Sequence, residues 1–170
     1  MNPSDQKEIT QYLTFRLGRE IFAIDVIQVR EVLDLVQITK VPQTPRFMLG
    51  VINLRGSVVP VVDLRIKFGI SETEKTRDTC VVVMEVPLEG EVSVIGALAD
   101  SVEEVLELDQ SQIEPPPRLG TRLKTDFLKG MGKRGEEFIM LLDIGKIFSA
   151  DELDLLQGAS ESREAPADSE

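Results

Sequence analysis

The stretch QYLTFRLG (11–18) places Leu13, Phe15 and Leu17 on one face of an extended chain and Tyr12, Thr14 and Arg16 on the other. That period of two predicts a half-buried strand. A turn at Gly18–Glu20, and the apolar run that follows it to Asp25, predict its hairpin partner. Val26, Val29 and Leu33 suit one face of either a short helical turn or a bent strand. The two prolines of QITKVPQTPRF (37–47) impose extended or turn structure. GVINLRGSVVPVVD (50–63) reads as a second hairpin turning near Arg55–Gly56. Pro60, which lacks an N–H, predicts an edge strand or a bulge in its second arm. LRIKFGI (64–70) suits a short helix ended by Gly69, and polar SETEKTRDT (71–79) a linker.

Beyond the linker the same kinds of element return. CVVVMEV (80–86) has the length and β-branched content of a buried strand, PLEGE (87–91) reads as a turn, and EVSVIGALAD (91–100) as the returning strand. SVEEVLELD (101–109) fits a strand or a helical turn equally well. IEPPPRL (113–119) is extended by its prolines, and FLKGMGKRGEEFIMLLD (127–143) forms a hairpin turning near Lys133–Gly135. IGKIF and SADELDLL read as helical, with Ser149 and Glu152 at capping-box spacing. Residues 157–170 are poor in apolar side chains and are expected to be disordered.

Two stretches of the chain resemble each other. FMLG (47–50) matches FLKG (127–130) and VVDLRIKF (61–68) matches LLDIGKIF (141–148), both 80 residues apart. Arg55–Gly56 matches Arg134–Gly135 at 79, and REVL (30–33) matches EEVL (103–106) at 73. Such an internal repeat implies two related, strand-rich halves, each too small to bury much core alone. The expectation is a mostly β protein in which two small antiparallel barrels pack together. They form a single unit over 9–156, divided near 9–75 and 76–156, with exchange of strands at the ends left open.

Composition narrows the function. The net charge is −11, of which the last twenty residues, with seven acids and one base, carry −6. The body is only mildly acidic, and clustered Lys and Arg for a nucleic-acid backbone or an anionic membrane surface are missing. MNPSDQKEIT has no apolar signal-peptide core, and no run approaches the ~20 apolar residues of a bilayer span. We therefore expect a cytoplasmic protein with no direct membrane insertion. Cys80, the single cysteine, lies in an apolar run, where it serves as a small buried hydrophobe.

There is no histidine, which removes the commonest general base and metal ligand, and no phosphate-binding or nucleophile motif. We expect no catalytic residue, no metal and no cofactor. Asp63 and Asp143 stand at equivalent places in the repeat and read as helix caps. Glu103 and Glu104 read as solvated surface. Arg55 is rooted beside a hairpin turn, from which a guanidinium can meet a carboxylate in bidentate fashion, though a turn arginine is usually just solvated. Glu31, between apolar neighbours, suits either the rim of a partner groove or an ordinary solvent face. Gly50, Gly56, Gly96, Gly130 and Gly135 suit turns, bulges or close backbone approaches.

The ordered run GREIFAIDVIQVREVL, KVPQTPRFMLGVINLRGSVVPVVDLRIKFG, VIGALADSVEEVLEL with IEPPP, and FLKGMGKRGEEFIMLLDIGKIF resembles the CheW family of chemotaxis coupling proteins over roughly residues 9–156. The resemblance implies two five-stranded, SH3-like barrels around a shared core. It implies a non-enzymatic adaptor between the cytoplasmic hairpin tip of methyl-accepting chemoreceptors and the C-terminal regulatory domain of the histidine kinase CheA, recruited to membrane receptor arrays. It assigns receptor binding or coupling to Val29, Glu31, Arg55, Gly56, Val102 and Val105, and marks Gly50, Gly96 and Gly130 as structural or coupling glycines. The alternative it leaves is a CheW-like adaptor of a non-flagellar chemosensory pathway, serving surface motility or second-messenger control.

Overall fold

A computed structural model of the chain describes residues 8–71, 74–88, 91–116 and 127–164. Its strands are β1 (Ile9–Leu17), β2 (Glu20–Asp25), β3 (Val29–Asp34), β4 (Met48–Leu54), β5 (Ser57–Asp63), β6 (Cys80–Leu88), β7 (Glu91–Ala99), β8 (Ser101–Asp109), β9 (Leu128–Arg134) and β10 (Glu137–Leu142). The helices are α1 (Leu64–Lys67), α2 (Ile144–Ile147) and α3 (Ala150–Glu164). One sheet runs β8-β1-β2-β10-β9 and the other β3-β6-β7-β5-β4.

These orders are the same pattern twice. The hairpin β1–β2 is inserted among β8, β9 and β10, and the hairpin β6–β7 among β3, β4 and β5. Each insertion is made by one antiparallel and one parallel contact, the parallel ones being β2 with β10 and β5 with β7. Both sheets therefore draw strands from either side of residues 75–76. Neither repeat can complete a five-stranded sheet without the other's hairpin.

Matching contacts recur across the repeat. The Asp63 N–H donates to the Phe47 carbonyl at 2.7 Å, and the Asp143 N–H to the Phe127 carbonyl at 2.7 Å. Thr39 bridges Val51, and Glu114 bridges Met131. These bridges lie where closed barrels would need a continuous ladder. Among the described residues no ladder joins β8 to β9 or β3 to β4, so the sheets are SH3-like but not closed barrels. The physical reason lies in the proline-bearing segments after β3 and β8. Their prolines remove ladder donors, and among the described residues each meets the far edge strand through one isolated residue pair.

Among the described residues three apolar clusters result. The largest lies between the sheets and holds Phe15, Leu17, Phe22, Ile24, Met84, Ile95, Leu142 and Phe148. One smaller cluster lines the first sheet (Tyr12, Ile21, Leu108, Ile139, Leu141) and another the second (Ile52, Val61, Val81, Val83, Leu98). This corrects the half-buried reading of β1: Leu13, Phe15 and Leu17 face the shared core, while Tyr12 and Thr14 are buried on the opposite face. Pro60 is likewise not on an edge, because β5 lies between β4 and β7. Its missing N–H is tolerated because the parallel ladder to β7 begins one residue later, at Val61.

The segment 26–33 contains both predicted elements, a 3₁₀ turn (Val26–Gln28) followed by β3. SVEEVLELD is a strand. Ser149 and Glu152 form the expected reciprocal cap, at 2.9 and 3.1 Å. The helix α3 then runs to Glu164, eight residues further than the sequence pattern suggested. Residues 165–170 of the expected tail, and 117–119 of IEPPPRL, lie outside the described residues. Cys80 is buried, and desolvation pushes its thiol pKa up, as suits an inert core residue. Among the described residues no helix is long and apolar enough to cross a membrane.

Candidate functional site

The turn between β4 and β5 consists of Arg55 and Gly56, both with positive φ (50° and 90°). Two left-handed residues in a two-residue loop make a type I′ turn, the form that matches strand twist. Asn53 Oδ1 accepts a hydrogen bond from the Gly56 N–H at 2.9 Å and fixes the turn. The backbone thus projects the Arg55 side chain, 71% exposed, beyond the sheet.

Arg55 donates through Nη2 to the carboxylate of Glu31 on β3. The pair links the two edges of the second sheet, where the ladder is missing. Arg55 holds the Glu31 carboxyl below the usual range, chiefly through the hydrogen bond, and Glu31 raises Arg55 in turn. Beside the pair is a groove of about 540 Å³, walled by Arg30, Leu54, Val58, Pro60, Val94 and Leu156, with Arg55 on its rim. Leu156 comes from α3, which is anchored by Lys67 Nζ on both Glu152 oxygens at 2.7 Å. The groove mixes these apolar side chains with polar ones, Arg55, Ser57, Ser93 and Gln157 among them, and so suits a partner that offers both apolar side chains and a carboxylate.

The remaining expected residues fall elsewhere. Val29 and Val102, at matching positions of edge strands β3 and β8, are both half-buried against the shared core. Val105 is 50% exposed on β8. Gly50 and Gly130 occupy equivalent close approaches: a Cβ there would lie 2.1 Å from the Thr39 carbonyl oxygen and 2.6 Å from that of Glu114. A Cβ at Gly96 would meet a Val81 methyl at 2.8 Å. At Gly56 a Cβ would meet nothing within 4 Å, so its requirement is the positive φ alone.

Sequence reasoning missed a second, larger ionic cluster. Glu103 and Glu104 are bound rather than merely solvated. Arg16 Nε meets Glu103 at 2.7 Å, Arg134 meets Glu104, and Arg134 also reaches Glu103 and Glu137 at 3.3 Å. The cluster joins β8 to the β9–β10 turn, just as Glu31–Arg55 joins β3 to the β4–β5 turn. Yet the ladders place Arg134, paired with Glu137, where Leu54, paired with Ser57, stands in the first repeat. The sequence match of Arg-Gly to Arg-Gly is thus one residue out of structural register. Arg55 is on the turn and open, whereas Arg134 ends a strand and is enclosed, its side chain only 28% exposed. The 79-residue offset, against 80 on both sides of it, was the available signal.

Among the described residues no cluster of carboxylates or thiols could hold a metal ion. Two five-stranded SH3-like sheets, with a charged pair beside a groove of mixed polar and apolar lining, define a binding scaffold. Residues 11–152 match the CheW-like domain model, and the chain belongs to that family, a non-catalytic scaffold of the CheW type. It is 37% identical over 152 residues to the chemotaxis protein CheW of Klebsiella aerogenes, covering 89% of each chain. It is 31% identical to protein FrzA of Myxococcus xanthus, over 81% of this chain and 84% of that one. The crystal structure of the scaffolding protein TtCheW from Thermoanaerobacter tengcongensis superposes with a TM-score of 0.75 at 33% identity, covering 89% of this chain and 96% of that chain.

Proposed function

We propose that this protein couples methyl-accepting chemoreceptors to the histidine kinase CheA, working in the cytoplasm and recruited to receptor arrays. The observation that carries the reading is the exposed Arg55, held by a type I′ turn and by Glu31 beside a groove of mixed polar and apolar lining. The relatives named as chemotaxis proteins support it. The groove supplies affinity through apolar contact, and Arg55 with Glu31 sets the register of a receptor hairpin. Gly56 shapes the turn that carries Arg55, Val29 on β3 and Val102 and Val105 on β8 add receptor contacts outside the groove, and Gly50, Gly96 and Gly130 hold the strands of the two sheets. An adaptor of this kind links two binding equilibria and transmits receptor state only through contacts that differ between states.

The test is binding of a receptor cytoplasmic hairpin fragment to the wild type and to Arg55→Glu. The reading requires a loss of affinity of at least about tenfold at unchanged thermal stability. Equal affinity would remove Arg55 from the receptor surface. A second reading is an adaptor of a non-flagellar chemosensory pathway, since one relative, protein FrzA, does not carry the name of a chemotaxis protein. Co-purification of the cognate receptor and kinase distinguishes the two.

A further inference from the structure

In both repeats the edge strand departs from its ladder just after a matching valine. In β3 the register shifts between Val29, opposite Met84, and Glu31, opposite Val83. In β8 it shifts between Val102, opposite Phe15, and Val105, opposite Leu13, so that Glu103 and Glu104 together stand against Thr14. A bulge of this type breaks regular pairing and re-aims side chains. At these bulges Glu31 meets Arg55, on the β4–β5 turn, and Glu104 meets Arg134, at the end of β9.

The two bulges are held differently. Opposite the first stands Val83, which has no polar side-chain atom. Opposite the second stands Thr14, fully buried, whose hydroxyl donates to the Glu104 carbonyl at 2.8 Å and accepts from the Glu104 N–H at 3.0 Å. One side chain thus engages both backbone groups of the bulged residue. Two residues further along β1, Arg16 holds the neighbouring Glu103. A hydroxyl buried within a strand costs free energy unless bonded, and here both bonds fall on a single residue.

We propose that Thr14 is a positioning residue for the β8 surface, its buried hydroxyl fixing the bulge that directs Glu104 to Arg134 and presents Val105 to solvent. Thr14 touches no partner; it acts through Glu104. Its bearing on receptor affinity rests on the function proposed above, while its hold on the bulge does not.

The experiment compares wild type, Thr14→Val and Thr14→Ser by amide exchange at Glu104, by the Arg134 Nε–Hε resonance, and by affinity for the receptor hairpin fragment. The valine variant keeps the shape and removes the hydroxyl. It is expected to speed Glu104 exchange about tenfold, to shift the Arg134 resonance and to weaken receptor binding, and serine is expected to restore all three. Unchanged Glu104 exchange and Arg134 resonance in Thr14→Val would overturn the proposal. Failure of the wild type to bind the fragment would sink the coupling reading but leave those two signals to decide on Thr14. One signal needs no variant: the Thr14 hydroxyl proton should be protected and close to the Glu104 amide proton. A freely exchanging hydroxyl would contradict the proposal.

Discussion

Arg55 and Glu31 form a contact that water can reach, so its value lies in geometry more than in stability. Reversing Arg55 to glutamate should leave the melting temperature unchanged while receptor affinity falls, measurable by calorimetry on the same samples. The pair also has a defined pH response. Glu31 is held below the ordinary glutamate pKa in the folded protein, so the contact is complete above that ordinary value and is lost as pH falls through the lowered one. An NMR titration of the Glu31 carboxyl should show the lowered midpoint in wild type and an ordinary one in Arg55→Ala. An ordinary midpoint in both would mean that the pair does not persist in solution. Glu103, held down chiefly by Arg16, should respond in the same direction.

Elements fold here under two kinds of constraint, and only one can be read along the chain. Hairpin turns and the α3 cap are local, and the glycine at Gly56 and the Ser149–Glu152 spacing announced them. The β8 bulge was hidden, because it depends on β1, about ninety residues away in sequence. The second ionic cluster was hidden for the same reason: Arg16, Glu103 and Arg134 come from three separate strands. The glycines lie between these cases. Gly50 suited a turn, a bulge or a close backbone approach, and no local pattern showed which, or pointed to the Thr39 backbone that it approaches. Gly50→Ala drives a Cβ into the Thr39 backbone at a positive φ and should cost about 3 kcal/mol or more. Gly96→Ala meets a valine methyl that can shift, and should cost about 1–3 kcal/mol. Urea denaturation ranks the two, and equal costs would contradict the contact geometry.

At the scale of the whole molecule, the reciprocal exchange of hairpins makes the two halves interdependent. The stacked rings of Phe15, Phe22, Phe68 and Phe127 run through the shared core and include residues from both repeats. Unfolding should therefore be one cooperative transition, with coincident far-ultraviolet dichroism and Tyr12 fluorescence curves. Two separated transitions would mean that the sheets are stable alone. The repeat in the sequence predicted two related halves. The insertion of each repeat's hairpin into the other's sheet is a long-range pairing that no local pattern encodes.

The same interdependence gives a scaffold its use, since a rigid body can hold two partners in fixed relation. The two partners proposed for this body are receptor and kinase. The most direct measurement is CheA autophosphorylation with chemoreceptor membranes, with and without this protein. Coupling gives a strong rise that needs all three components, falls on addition of attractant, and is lost with Arg55→Glu. No rise with cognate receptor and kinase, from a folded protein, would contradict it.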